Sequence, residues 1–122
     1  MKHEAVNHPK HYQNGMHTEV ECIMFTRCLS FDLGNAFKYV WRSGEKVTET
    51  VDTDVRKAIW YLKDAVKHNE PAPPVAVANL VDFLPKKQLK NWKFDVLSCI
   101  LTGKLLVAIQ TLTSGLEDDT AS

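Results

Sequence analysis

Residues 33–44 read LGNAFKYVWRSG and carry the clearest structural signal in the chain. With roughly 100° between successive helical residues, the apolar side chains share one face and the polar ones share the other. The apolar face consists of Leu33, Ala36, Phe37, Val40 and Trp41. Gly44 follows where a C-terminal helix cap belongs. The pattern predicts a helix near residues 31–43.

The segments on either side of this helix predict two more. Upstream, Thr18 and Glu21 have the spacing of a capping box, which predicts a helix from there to about Ser30. Its expected inward-facing residues are Val20, Ile23, Met24 and Cys28. Downstream, Asp52 or Thr53 can cap a helix that ends near His68. Its expected buried stripe is Val55, Ala58, Ile59, Leu62, Ala65 and Val66.

The second half of the chain begins with a proline-rich break at residues 69–74. Beyond it, residues 75–84 predict a short helix or an extended piece, and residues 86–101 predict a helix. After Gly103, residues 104–112 continue that helix or start a new one. No run alternates with a period of two for long enough to require a strand. The predicted fold class is all-α, a small single domain of about four to five helices.

The chain divides into four segments on this interpretation. They are an N-terminal arm at 1–17 that carries the sequence HPKHY, a helical core at 18–69, a C-terminal helical extension at 70–116, and a disordered acidic tail at 117–122.

Composition excludes several classes of protein. Lys plus Arg and Asp plus Glu both number 15 among 122 residues. Because proteins that bind duplexes non-specifically usually carry a basic excess, nucleic acid is not the favoured partner. No segment is apolar enough to span a bilayer, and the N-terminus lacks the apolar run of a signal peptide. The cysteines form no CxxC pair, which disfavours a disulfide framework and a cysteine zinc site. A cytoplasmic protein without a membrane partner is expected.

Residues that could bind an anion concentrate on the polar face of the 33–44 helix and on the following helix. Asn35, Lys38 and Arg42 lie at i, i+3 and i+7, with no acidic residue in 33–44. The following helix adds Arg56, Lys57, Trp60, Lys63 and Lys67. Such a surface can hold a phosphate and stack a base. The plainer interpretations are a solvated helix face and a Trp60 that packs under the C-terminal segment.

The HPKHY sequence at residues 8–12 offers a second set of polar groups. His17 is nearby, but Pro9 keeps His8 and His11 off a helix and a metal would also need a carboxylate or a third histidine in contact with it, so no metal ligand is predicted. The stretch is either an ordered loop in which Tyr12 packs onto the domain, or a ligand contact through His, Lys and Tyr. The chain has no glycine-rich phosphate loop, GxSxG, HExxH or repeated ExxE motif.

Four blocks of the sequence resemble a family of small, mostly phage-encoded proteins described as SaV-like and as nucleotide kinases. The blocks read HPKHY at 8–12, EVECI at 19–23, GNAFKYVWRSGEK at 34–46 and DVRKAIWYL at 54–62. The resemblance covers residues 6–66 and says nothing of residues 75–122. One position departs from the pattern, since Glu45 stands where the family usually has the first of two lysines.

The resemblance implies a phage-type nucleotide-binding protein, most concretely a (deoxy)nucleoside monophosphate kinase without a phosphate loop, acting in an infected bacterial cell. Lys38 and Arg42 would hold the transferring phosphate. His11 would either shuttle a proton or only donate a hydrogen bond to the phosphate. The expected substrate-binding residues are Tyr12, Asn35, Tyr39, Lys46, Lys57 and Trp60. A nucleoside triphosphate would donate the phosphate, and any Mg²⁺ would be held largely by the nucleotide.

Two other functions stay open on the sequence. One is a non-catalytic nucleotide or nucleic-acid binder that engages a host defence protein. The other is a structural oligomer whose helices bury the motif residues. Because the apolar residues of 86–112 occupy more than one helical stripe, a homo-oligomer assembled partly through this stretch is predicted.

Overall fold

The computed structural model describes residues 21–44 and 51–121, with the backbone alone at 51–52 and 117–121. Its elements are α1 (Cys22–Thr26), α2 (Phe31–Arg42), α3 (Val51–Lys67), α4 (Val75–Ala78), a 3₁₀ helix (Asn79–Phe83), α5 (Asn91–Leu101) and α6 (Leu105–Ala121). No strand occurs in the described ranges, which confirms the prediction of a small all-α single domain. None of the described helices is both long and apolar enough to cross a bilayer.

Helix α2 forms as its sequence predicts. Ser30 caps its N-terminus, where the hydroxyl accepts a hydrogen bond from the backbone N–H of Leu33 at 3.2 Å. All five predicted apolar residues of the stripe are buried. Gly44 follows the helix with φ of +81°, a conformation that glycine adopts without strain. The buried stripe of α2 therefore forms the centre of the core.

Helix α1 differs from the prediction in length and in orientation. It spans only Cys22–Thr26. The predicted inward residues Ile23 and Met24 are 48% and 52% exposed, and Cys28 is exposed as well. The predicted cap Thr18 and the predicted inward residue Val20 lie outside the described residues.

The orientation of α1 follows from Phe25, which is the buried residue of this helix. Its ring stacks on Phe37 with centroids 5.3 Å apart and lies 5.8 Å from Trp41. A phenylalanine packed against two aromatic rings gains more from burial than the aliphatic side chains beside it. The face that contains Phe25 therefore turns inward, and the predicted face turns toward solvent.

Helix α3 packs against α2 over the largest contact in the fold. Its buried stripe is confirmed at Val55, Ala58, Leu62 and Ala65. Ile59 is half-buried and packs against this core, whereas the predicted burial of Val66 is wrong because Val66 is exposed. Both lie at the edge of the stripe on a helical wheel, where a neighbouring helix covers them less.

The C-terminal half completes the same core. The piece after the proline-rich break forms α4 and the 3₁₀ helix, α5 packs against α2, and α6 packs against α3. Helix α5 begins at Asn91 and not at residue 86, because residues 86–90 form a turn in which Gln88 and Leu89 donate to the Pro85 carbonyl. Gly103 ends α5 with φ of +80°, where a Cβ would lie 2.6 Å from that of Ala72.

Helix α6 extends further than the sequence suggests. It continues to Ala121, so helical backbone takes the place of the disordered tail expected at residues 117–121. Elongating a helix costs far less than nucleating one, and the packed turns around Leu112 supply the nucleus. One continuous set of buried residues joins the predicted core segment to the predicted C-terminal extension.

Candidate functional site

Three positively charged side chains converge on the ring of Tyr39. The Lys38 Nζ lies 4.6 Å from the ring centroid, the Arg42 Cζ 5.0 Å and the Lys57 Nζ 5.2 Å. Lys38, Tyr39 and Arg42 come from α2, and Lys57 comes from α3. We refer to these four residues as the Tyr39 cluster. All four were predicted from the sequence as site residues, and the packing of α2 on α3 brings them together.

A row of aromatic rings continues from the Tyr39 cluster along the surface of α2 and α3. Tyr39 stacks on Tyr61 with centroids 6.0 Å apart and an interplanar angle of 10°. Phe31 and Trp60 each meet Tyr61 edge-on, at 6.0 Å and 5.1 Å. Phe31 and Trp60 remain 76% and 62% exposed. Trp60 therefore does not pack under the C-terminal segment, and its ring is accessible to a ligand.

Sequence reasoning missed Phe31 and Tyr61. Phe31 is the first residue of α2 and lies outside the apolar stripe, and Tyr61 lies beside the predicted basic face of α3. The signal that could have found them is the presence of large rings at positions that the core does not need.

Arg42 is held in place by a buried partner. Its Nε donates a hydrogen bond to Asp54 Oδ1 at 3.3 Å, and Asp54 is fully buried. The second carboxylate oxygen of Asp54 has no hydrogen-bond partner within the part of the chain that the structure describes. An ion pair with a buried carboxylate restricts the guanidinium to few orientations.

A shallow groove of about 260 Å³ lies next to the Tyr39 cluster, between the end of α1 and the start of α2. Lys38 lines the groove and also belongs to the Tyr39 cluster, so the two are contiguous. Asn35 lines the groove too, and its Nδ2 donates to the Phe31 carbonyl at 2.8 Å. Asn35 therefore lies near Lys38 as predicted but is separate from the aromatic contacts of Tyr39.

These elements can be compared with known protein families. Residues 6–63 match the DUF3310 family, which is described as a protein of unknown function. The DUF3310 match contains α1, α2, the groove and the whole Tyr39 cluster. No curated protein and no solved structure matches the chain. Because the DUF3310 description states no activity, the resemblance to nucleotide kinases stays a prediction.

A buried lysine from outside the DUF3310 match supports the end of α2. Lys93 on α5 donates through its Nζ to the backbone carbonyls of Trp41 at 3.0 Å and Ser43 at 2.7 Å. A cation at this position bonds the last carbonyls of the helix and opposes the negative end of its dipole. Arg42 lies between the two residues that Lys93 contacts. Nothing in the sequence pattern identified this role.

Carboxyl groups cluster at the other end of the α2–α3 pair. Asp32 is buried, and the side chains of Asp64, Glu70 and His68 lie near it. Burial, and then the neighbouring carboxyl groups of Asp64 and Glu70, raise the pKa of Asp32 from 3.8 to about 6. We refer to Asp32, Asp64 and Glu70 as the carboxyl cluster. Among the described residues, no group of His, Cys, Asp or Glu side chains is arranged to hold a metal ion.

Several predicted site residues cannot be placed. His11, Tyr12 and Lys46, together with Glu45, lie outside the described residues. Of the three cysteines, Cys28 is exposed, and Cys22 and Cys99 are half-buried. Burial raises the pKa of the Cys22 thiol to about 12, and the charge of Lys38 opposes that shift only in part. Cys22 is therefore a protonated thiol at neutral pH and a poor nucleophile.

Proposed function

We propose that this protein binds nucleotides through the Tyr39 cluster, and that its most concrete activity is phosphoryl transfer from a nucleoside triphosphate to a (deoxy)nucleoside monophosphate. The convergence of Lys38, Arg42 and Lys57 on one tyrosine ring carries this proposal. A phosphate group can form charge-assisted hydrogen bonds with several cationic side chains at once, which suits it to three cations at one point of a surface. The exposed rings beside them suit a base.

The electrostatics of the Tyr39 cluster favour an anion. All three cationic groups lie within 5.2 Å of the same ring centre. Asp54 offsets the charge of Arg42, whereas Lys38 and Lys57 lie no further apart than about 10 Å, where like charges repel by roughly 1–2 kcal/mol at an effective dielectric constant near 20. Each cation–π contact with the Tyr39 ring stabilises the arrangement by about 0.5–1 kcal/mol at an exposed site. A bound phosphate would convert the repulsion between the cations into attraction.

Phosphoryl transfer asks little covalent chemistry of a protein. It requires that two nucleotides be positioned and that charge on the transferring group be neutralised. Lys38 and Arg42 would neutralise that charge, with Lys57 assisting from α3. Arg42 suits this role because its ion pair with Asp54 orients the guanidinium before a ligand arrives.

The binding test compares lysines inside and outside the Tyr39 cluster. Lys38→Ala and Lys57→Ala should each weaken nucleotide binding tenfold or more, because a charge-assisted hydrogen bond contributes about 1.5–3 kcal/mol. Lys87→Ala is the control, since Lys87 is an exposed lysine in the turn before α5 and lies outside the candidate surface. Calorimetric titration with nucleoside mono-, di- and triphosphates measures the three affinities. Equal losses in all three variants would contradict the proposal, as would no loss in any.

Arg42 needs a different variant. Arg42→Ala would leave the buried Asp54 carboxylate without its arginine, at a cost of about 3–5 kcal/mol in stability. The double variant Arg42→Ala with Asp54→Asn removes that buried charge. It should retain the helical circular dichroism of the parent and still bind nucleotides at least tenfold more weakly.

Catalysis is tested by incubating the purified protein with a nucleoside triphosphate and a monophosphate and separating the products by ion-exchange chromatography. Formation of a new nucleoside diphosphate that Lys38→Ala abolishes supports the kinase. Binding without product supports the alternative, a non-catalytic nucleotide binder. Absence of binding to any nucleotide overturns both.

A further inference from the structure

The groove beside the Tyr39 cluster has its own lining and one shared residue. Its floor is formed at Gly34, where the absence of a side chain leaves the backbone of α2 open toward Thr26 and Leu29. One wall is the exposed ring of Phe31, and Lys38 stands where the groove meets the Tyr39 cluster. A molecule in the groove would thus lie against the Gly34 and Thr26 backbone and an aromatic wall, with the Lys38 cation also in the lining.

The dimensions of the groove limit what it can hold. Pockets for whole drug-sized ligands range from about 300 to 1,000 Å³. At about 260 Å³, this groove suits part of such a ligand. The charge at its Lys38 end suits the phosphate of that ligand, whereas a neutral ring system suits the rest of it.

Asn35 supplies polar groups along the groove. One of its N–H groups is used by the Phe31 carbonyl. The side-chain oxygen and the second N–H remain as one acceptor and one donor on the same planar amide. This pairing is complementary to the donor and acceptor edges that nucleobases display.

We infer that the groove binds the sugar and base of a nucleoside monophosphate whose phosphate lies against Lys38. The inference rests on the proposed nucleotide binding and adds to it the place where the nucleoside of the monophosphate lies. The phosphate then enters the Tyr39 cluster from the α1 side. Phe31, Gly34 and Asn35 determine how tightly the nucleoside is held.

The test fills the floor of the groove with one methyl group. In Gly34→Ala, the new Cβ would lie 3.5 Å from the Thr26 carbonyl oxygen and 3.9 Å from the Leu29 Cβ, which are ordinary contacts. The variant should fold as the parent does. Gly115→Ala is the matched control, because a Cβ there meets nothing within 4 Å and also lies in a helix. A second variant, Phe31→Ala, removes the exposed wall.

The probes are the four deoxynucleoside monophosphates and inorganic tripolyphosphate, titrated by calorimetry. Gly34→Ala and Phe31→Ala should each lower the affinity for the best-bound monophosphate at least about fivefold, because its nucleoside loses contacts with the groove. The affinity for tripolyphosphate should stay unchanged, because tripolyphosphate has no nucleoside. Gly115→Ala should change neither. Unchanged monophosphate affinity in Gly34→Ala would overturn the inference and leave the proposed function standing, as would equal losses for both probes. Failure of the parent protein to bind any of the probes would overturn both.

Discussion

Replacing Asp32 with asparagine should stabilise the protein at neutral pH. Asp32 is buried at the start of α2, near the carboxyl group of Asp64 of α3. Its pKa is raised to about 6 by burial first and by the neighbouring carboxyl groups second. Its folded-state pKa therefore exceeds its unfolded one, so protonation of Asp32 favours the folded state. This contribution to stability is present below about pH 4 and is lost as the pH rises through 6.

The size of the effect follows from the pKa. A difference of one in pKa corresponds to about 1.4 kcal/mol. Raising the pKa from 3.8 to about 6 makes the charged form of Asp32 unfavourable by at most about 3 kcal/mol in the folded protein. Against this, a carboxylate in the first turn of α2 gains about 0.3–1 kcal/mol from the helix dipole. Asp32→Asn should therefore increase the free energy of unfolding by about 1–2 kcal/mol at pH 7.

The assay is urea denaturation of parent and variant at about pH 4, 5, 6 and 7, followed by tryptophan fluorescence. The quantity to compare is the difference between the two free energies of unfolding, because other titrating groups cancel in it. Asp82→Asn is the control, since Asp82 is an exposed aspartate of the 3₁₀ helix. A difference that stays constant from pH 4 to pH 7, or an Asp82→Asn curve that matches Asp32→Asn, would refute the reasoning.

Three further predictions concern the end of α2, the segment after it and α6. Lys93→Met should lower the free energy of unfolding by about 1–3 kcal/mol in urea denaturation, because the last carbonyls of α2 lose a charged donor. Glu45→Lys, at a position outside the described residues, should strengthen triphosphate binding by roughly 1–2 kcal/mol at low salt and less at high salt, and equal affinities at low salt would contradict it. Light scattering should give at least a dimer, and Leu106→Glu should reduce its mass because Leu106 and Val107 are exposed apolar residues; a monomeric parent would contradict this.

The sequence predicts the fold where a single helix determines its own buried face. The stripe of α2 is unambiguous because its five apolar residues recur at helical spacing and Ser30 and Gly44 bound it. In α1 the same reasoning fails, because a helix of this length offers apolar residues on several sides. Its buried face depends on Phe25 reaching Phe37 and Trp41, a contact between helices that no local pattern contains.

The candidate site divides in the same way. The cationic side chains Lys38 and Arg42 are predictable because they share the polar face of one helix. Their convergence with Lys57 on Tyr39 depends on the packing of α2 against α3, which the periodicity of each helix permits but does not specify. The carboxyl cluster is harder still to predict from the sequence, because Asp32 and Asp64 are distant in the chain and come close only when the two helices pack.

The position of Arg42 depends on both halves of the chain. Asp54, which lies within the DUF3310 match, holds the Arg42 guanidinium. Lys93, which lies beyond the match, donates hydrogen bonds to the carbonyls of Trp41 and Ser43 on either side of Arg42. Burying a charged lysine is unfavourable unless its ammonium group is hydrogen-bonded. The two bonds to the Trp41 and Ser43 carbonyls therefore offset much of the desolvation cost of Lys93. Loss of Lys93 would free the last turn of α2 and with it the backbone that carries Arg42. A segment of residues 6–63 alone would therefore contain every residue of the Tyr39 cluster and still lack the support that fixes one of them.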